Sequence, residues 1–275
     1  MRLICGSKSL DLSHPRIMGI VNVTPDSFSD GGQYHNLSVA VAHAQQLISD
    51  GADIIDIGGE STRPGANPVD LEEELARVIP VITALRGCAA VISIDTRHPE
   101  VMQAAIDAGA EMVNDVYALR AAGALDVIKQ TNVAVCLMHM QGEPKSMQQH
   151  IYYDDVVTVV RTFLQQRIAC LDAAGVGRER IVIDPGFGFG KTVQDNLQLL
   201  KHLDVFAGLK LPVLAGLSRK AVLGKLTGRP VNEREAAGLA AHLYALKLGA
   251  NIIRVHDVAG CRDALTVWQA IEEAQ

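Results

Sequence analysis

Short apolar runs alternate with longer amphipathic ones from end to end, and this rhythm limits the fold more than any other feature of the chain. The short runs are RIMGIVNV (16–23), DIIDIGG (53–59), VISIDT (91–96), EMVNDVY (111–117), VAVCLMH (133–139), RIVIDPG (180–186), LPVLAGLS (211–218) and NIIRVHD (251–257). They are rich in Val and Ile and largely continuous, as strands buried on both faces should be. Between them the pattern predicts helices over 37–50, 71–85, 99–108, 121–130, 151–174, 192–203, 233–248 and 260–273. Gly51, Gly109, Gly175 and Gly249 each sit where a helix must stop before the next strand. Pro99 followed by Glu100 suits a first helical turn.

Eight strand–helix units imply an α/β fold, a closed (β/α)8 TIM barrel forming one domain over 1–275. An open doubly wound sheet would usually show fewer strands and a glycine-rich dinucleotide turn after the first, and no GxGxxG follows Val23. The glycines of PGFGFGK (185–191) form neither that fingerprint nor a Walker A loop. The first fifteen residues lie outside the eight units and read as a short strand or hairpin that caps the barrel bottom. With 48% hydrophobic but only 4% aromatic residues, the core must be built from Ala, Val, Ile and Leu.

The same inventory excludes several function classes. Net charge is −6 and no basic stripe appears, so a nucleic-acid partner is not expected. The 5 cysteines show no CxxC or Cys/His spacing, which argues against a disulfide framework or a zinc site and for buried thiols in a reducing compartment. No signal peptide or uninterrupted apolar span is evident, so a cytoplasmic protein with no membrane partner is expected.

Each strand ends in polar residues. The first ends in Asn22, and the second leads into Glu60, Ser61, Thr62 and Arg63. Asp95 ends the third, Asn114 and Asp115 lie on the fourth, and His139 and Asp184 end the fifth and sixth. Ser218, with Arg219 and Lys220 after it, ends the seventh, and the eighth carries Arg254, His256 and Asp257. In a barrel these ends converge on one rim, where active sites lie. For any single residue a structural hydrogen bond to a neighbouring loop explains as much; for Asn22, Asp95, Asn114, Asp184 and Lys220 together it explains little. Asp95, Asn114 and Asp184 would accept from the N–H groups of a flat, donor-rich heterocycle. Asn22, Thr62, Arg63, Arg254 and His256, around the seam between the eighth and first strands, suit phosphate oxygens. Lys220 could serve either subsite. The loops after strands one and two exceed a minimal connection and resemble lids, and Phe28 and Phe189 are loop aromatics flanking the mouth.

At these residues the chain resembles the bacterial dihydropteroate synthases of the folate pathway. The segments that carry the resemblance are GIVNVTPDSFSDGG, IDIGGESTRPGA, SIDT, NDV, CLMHMQG, IDPGFGFGK, GLSRK and IIRVHDV, spread over nearly the whole chain. The resemblance implies a transferase that condenses (7,8-dihydropterin-6-yl)methyl diphosphate with 4-aminobenzoate by an SN1-like route, giving 7,8-dihydropteroate and diphosphate. It further implies a pterin held by Asp95, Asn114, Met138, Asp184, Lys220 and Arg254, with Asp95, Lys220 and Asp184 as the catalytic set. Diphosphate would lie at Asn22, Thr62, Arg63, Arg254 and His256, with Mg2+ helped by Asn22. Aminobenzoate would lie between Pro64, Phe189, Ser218 and Lys220. Sulfonamide inhibitors and a homodimer built on late helices complete the implied partners. No large pKa shift is expected at Asp95 or Asp184, since substrate donors and Lys220 favour their charged forms. Arg97, where many relatives carry a smaller or less basic residue, is expected in the third strand–helix loop, facing solvent or the diphosphate mouth. Two alternatives stay open at this level: a methyltetrahydrofolate methyltransferase-type pterin barrel, and a non-catalytic pterin-binding paralogue.

Overall fold

In the computed structural model, which describes residues 1–23, 33–61, 65, 68–143 and 145–274, the eight expected strands form one 8-stranded parallel sheet. They are β3 (Arg16–Asn22), β4 (Ile54–Gly58), β5 (Val91–Asp95), β6 (Met112–Asp115), β7 (Ala134–Met138), β8 (Ile181–Asp184), β9 (Leu214–Ala215) and β10 (Ile252–Val255). Their order runs β8-β7-β6-β5-β4-β3-β10-β9. The ring closes where Ile183 bridges Val213 and the Ile183 N–H donates to the Pro212 carbonyl at 2.9 Å. The fold is the (β/α)8 barrel expected from the alternation.

A period of two sorts each strand between two cores. Ile55, Ile57, Ile92, Ile94, Val113, Val135, Leu137, Ile183 and Ile253 pack outward with helix residues such as Val78, Ile82, Met102 and Leu164. Met18, Ile54, Val91, Met112, Ala134, Cys136, Val182, Leu214 and Ile252 form a separate inner cluster. The hairpin of β1 (Arg2–Cys5) and β2 (Lys8–Asp11) adds Leu3, Cys5 and, just after it, Leu12 to that cluster. It is the expected bottom cap. Burying one such leucine contributes roughly 2 kcal/mol. Two residues further along the same inward rows stand Asp56, Ser93, Asn114, Asp184 and Arg254, so the interior changes from apolar to polar towards the C-terminal rim.

The helices are α1 (Gln33–Ser49), α2 (Leu71–Leu85), α3 (Pro99–Ala108), α4 (Ala124–Lys129), α5 (Val156–Ala173), α6 (Val193–Lys201), α7 (Asp204–Ala207), α8 (Ala221–Thr227), α9 (Glu235–Lys247) and α10 (Val258–Glu272). Some features differ from expectation. Helix α5 starts at Val156 rather than 151 because the Asp155 carboxylate accepts from the Val157 and Thr158 N–H groups, which sets the N-cap there. The seventh strand shrinks to Leu214–Ala215, and α8 forms directly after it with Lys220 at its N-cap. All 5 cysteines are free, but of the expected buried thiols Cys88 is half-buried and Cys170 is exposed. Among the described residues no helix is long and apolar enough to cross a membrane.

Candidate active site

Strand register places the first polar layer. Asn22 pairs with Gly58, Gly58 with Asp95, and Asp95 with Asn114, while Met138 pairs with Asp184 two strands on. Paired residues of parallel strands point to the same face, so these side chains share the inner rim.

Asp56 organises the floor. It is fully buried on β4, and its Oδ2 accepts from Arg254 Nε at 2.6 Å and from Asn114 Nδ2 at 2.9 Å. Arg254 Nη2 donates to Asp95 Oδ2 at 2.8 Å. The second oxygens of Asp56 and Asp95 are buried and have no donor among the described residues. Buried acceptors of this kind are costly until a donor reaches them.

Across the rim, Asp184 Oδ1 accepts from the Gly186 N–H at 2.7 Å. Lys220 Nζ stands 4.2 Å from the centroid of the Phe189 ring, a cation–π arrangement. Phe189 itself packs with Val116, Met138, Met140 and Met147, so Met138 lies in the apolar wall beside the lysine. Ser218 Oγ and His256 Nδ1 are 2.9 Å apart, and the His256 N–H donates to the same hydroxyl at 3.3 Å. Asn22 is half-buried at the end of β3. The expected residues Phe28, Thr62, Arg63 and Pro64 lie outside the described residues.

Burial dominates the electrostatics. It pushes the Asp95 carboxyl up to about 7, against the pull of Arg254 and aided by Asp56. Asp184 is also raised by burial, with the Gly186 N–H, Lys220, Lys191 and Arg254 opposing. Burial, together with Arg254, brings Lys220 down to about 8. The expectation of unshifted carboxylates therefore does not hold for the protein alone, because desolvation outweighs the neighbouring cations.

The comparisons with known proteins agree with this geometry. The pterin binding enzyme family model matches residues 18–256. The dihydropteroate synthase of Escherichia coli (strain K12) is 48% identical over 276 residues, covering 100% of this chain and 98% of its own. The chain belongs to the dihydropteroate synthase family. The Xanthomonas albilineans dihydropteroate synthase with 4-aminobenzoic acid matches with TM-score 0.94 at 55% identity, over 100% of this chain and 99% of that one. A Yersinia pestis dihydropteroate synthase in a sulfonamide drug complex matches with TM-score 0.94 at 46% identity, over 100% of both chains. As a member of the dihydropteroate synthase family the chain is an enzyme, a transferase of folate biosynthesis. It condenses the pterin-methyl diphosphate with 4-aminobenzoate. The methyltransferase and non-catalytic alternatives fall with this assignment.

One expectation taken from dihydropteroate synthases is corrected. Mg2+ was expected at Asn22, yet among the described residues the only carboxylate–imidazole grouping of ion-holding geometry is Glu60, Glu74 and His98, with ligand atoms within 4.8 Å of one another. Asn22 is not part of it, and a neutral amide oxygen is by itself a weak ligand for Mg2+. The grouping is knit internally: His98 Nδ1 is 2.7 Å from Glu74 Oε2, and Arg97 Nη2 donates to Glu60 Oε1 at 3.2 Å. Arg97 is therefore an ion-pair partner of Glu60 and Glu143, stacked 5.4 Å from the Tyr117 ring, rather than a solvent-facing residue.

Sequence reasoning missed Asp56 and Lys191. Asp56 reads as one more residue of DIIDIGG. Its only signal is parity: counting by twos from Ile54 puts it on the inward face one step below Gly58.

Proposed function

We propose that Asp95, Asn114, Asp184 and Lys220 bind the edges of the pterin ring, that Met138 packs beside it, and that Asp95, Asp184 and Lys220 are the catalytic residues. The observation that carries this reading is the convergence of the inward-facing carboxyl groups of Asp56, Asp95 and Asp184 with the cations Arg254 and Lys220, the buried second oxygens of Asp56 and Asp95 still requiring donors. A dihydropterin has such donors along one edge.

Two of Arg254's nitrogens are held by carboxylates. We therefore assign Arg254 to the floor beneath the ring, with its remaining nitrogen nearest the anion. Diphosphate recognition then falls chiefly to Asn22, His256, Thr62 and Arg63. Aminobenzoate is assigned to Phe189, Ser218, Lys220 and Pro64, with Phe28 as a further ligand contact.

In the chemical step the pterin methylene–oxygen bond breaks and diphosphate leaves with the electron pair. The methylene-pterin cation that remains is stabilised by the Asp95 carboxylate in a low-dielectric pocket. The arylamine attacks as the free base, forms the new C–N bond and then loses its proton. No covalent enzyme intermediate is required.

The test is to incubate the protein with the pterin diphosphate, with and without 4-aminobenzoate, and follow dihydropteroate and diphosphate together. Equal, aminobenzoate-dependent yields are expected, with Asp95→Asn losing turnover at saturating substrate. Full turnover by Asp95→Asn would refute its role. The aminobenzoate subsite is also proposed to take sulfonamides, read as competition with aminobenzoate.

The chain is further proposed to act as one pterin-binding domain in the cytoplasm, in keeping with its free cysteines. A homodimer through the late helices is supported by exposed Leu226, Tyr244, Val267 and Ile271. Sedimentation at micromolar concentration decides that point.

A further inference from the structure

Lys191 is buried, with 3% of its surface exposed, and the reaction as described does not use it. Its ammonium meets four acceptors: the Gly186 carbonyl at 2.7 Å, the Phe189 carbonyl at 3.0 Å, His139 Nδ1 at 3.1 Å and the His139 carbonyl at 3.2 Å. Three N–H bonds cannot give each of four acceptors its own donor, so at least one N–H is shared. His139 accepts because its ring is neutral: burial, with Lys191 next, holds its pKa down to about 2. The ring is pinned edge-on by Phe163, 5.0 Å between centroids.

The carbonyls are gathered because two chain segments meet unusually closely. Gly186 has φ +73, and a Cβ there would stand 1.9 Å from the His139 carbonyl oxygen. Only glycine fits, and the two carbonyl dipoles crowd one another unless a cation lies between them. Next along the loop, a Cβ on Gly188 would come within 3.2 Å of the Lys220 side chain, so the loop also abuts the second lysine. The glycines of PGFGFGK thus let the loop lie against the end of β7 and against Lys220, and its final lysine fastens it there.

We propose that Lys191 is a positioning residue that sets Asp184 and Phe189 for the reaction. Two short links carry its influence. The Gly186 carbonyl accepts from Lys191, while the N–H of the same residue donates to Asp184 Oδ1 at 2.7 Å. The Phe189 carbonyl is held by Lys191, while the Phe189 ring faces Lys220. One ammonium therefore places a pterin-side carboxylate and an aminobenzoate-side ring together. The loop has other fastenings: Tyr153 donates to the Gly190 carbonyl at 2.8 Å and the Gly188 N–H donates to Asn196 Oδ1 at 2.6 Å. Removing the ammonium frees the two functional groups while the loop stays attached.

The inference rests on Asp184 and Phe189 lining the substrate site. Charged and titratable groups near Lys191 are His139, Asp184, Lys220 and Asp195; near Asp184 they are Lys220, Lys191, Arg254 and Cys136. Because the Lys191 charge lowers the Asp184 pKa, its loss moves the acid limb of kcat/KM to higher pH. A lysine that only fastens the loop would leave kcat/KM of a folded variant unchanged, because Asp184 and Phe189 would stay in place.

The experiment compares Lys191→Met and Lys191→Gln with the full-length enzyme for thermal unfolding, kcat and KM for both substrates, and the pH profile. Expected is a fall of about 10- to 100-fold in kcat/KM for both substrates in a folded variant, from displacement of groups that must be held to within an ångström, with the acid limb displaced upward. A folded variant with kcat/KM within twofold of wild type or an unmoved limb overturns the proposal. So does failure of both variants to fold, which makes the lysine structural. Asp184→Asn and Phe189→Ala are measured alongside. If those two retain wild-type activity, the site reading fails; if they lose activity while the lysine variants do not, only the role of Lys191 fails.

Discussion

Replacing Asp56 by Asn tests whether this buried carboxylate governs the pterin floor. The side chains are nearly isosteric, so packing is kept and charge is lost. In the native site, Asp56 Oδ2 accepts two hydrogen bonds, at 2.6 Å from Arg254 and 2.9 Å from Asn114. Hydrogen bonds to a charged group contribute about 1.5–3 kcal/mol and neutral ones about 0.5–1.5 kcal/mol, so each of the two loses roughly 1–1.5 kcal/mol. The total, about 2–3 kcal/mol, stays below the ~3–5 kcal/mol of a fully broken buried pair because Arg254 keeps Asp95 at 2.8 Å. If the loss appears in transition-state binding, kcat/KM for the pterin diphosphate falls roughly 30- to 150-fold. A second signature follows from charge. Asp56 helps raise the Asp95 pKa towards 7, so Asp56→Asn moves the acid limb of kcat/KM to lower pH. Steady-state kinetics from pH 5 to 9, on protein checked for folding by circular dichroism, reads both. A folded variant with kcat/KM within twofold of wild type and an unshifted limb would show that the floor does not depend on this carboxylate.

Three further outcomes are expected. Since burial brings Lys220 down to about 8 and Lys191 to about 7, wild-type kcat/KM should fall on the basic side across that range, and Lys220→Arg should remove the part of the fall near pH 8 in the same assay. Gly186→Ala should cost at least about 3 kcal/mol in urea unfolding, because a methyl group there meets a backbone carbonyl at 1.9 Å in a left-handed conformation; a midpoint equal to wild type would contradict the close approach. Asp95 has a folded pKa raised to about 7 from an unfolded value of about 3.9, so its contribution to stability is full below the lower value and is lost as pH rises through the upper. Wild-type Tm should therefore drop further between pH 5 and pH 8 than the Tm of Asp95→Asn, and an equal drop in the two proteins would refute the shift.

The barrel was legible because its determinants are local. Apolar runs of strand length, helix periodicity and the glycines that end helices all act within a few residues of one another. The late start of α5 was hidden because Ile151, Tyr152 and Tyr153 extend the apolar pattern backwards, while Asp155 decides where the helix starts. Helix α8 was missed because seven residues followed by Gly228 and Pro230 read as a loop; its head is held by Arg234, whose Nη1 donates to the Arg219 carbonyl at 3.1 Å.

By itself the sequence determined which residue types stand at the C-terminal rim and, through family likeness, which reaction they belong to. It could not determine who pairs with whom. Asp53 and Asp56 sit in one seven-residue run, yet Asp53 is bound at the other end of β4 by Arg16 and Arg262, whereas Asp56 receives Arg254 from 198 positions away. Only closure of the ring decides that, and with it which carboxyl groups are desolvated. Charge state follows from burial and from partners remote in sequence. Asp95 near neutrality, Lys220 near 8 and the carbonyl cage of Lys191 are therefore properties of the tertiary structure alone.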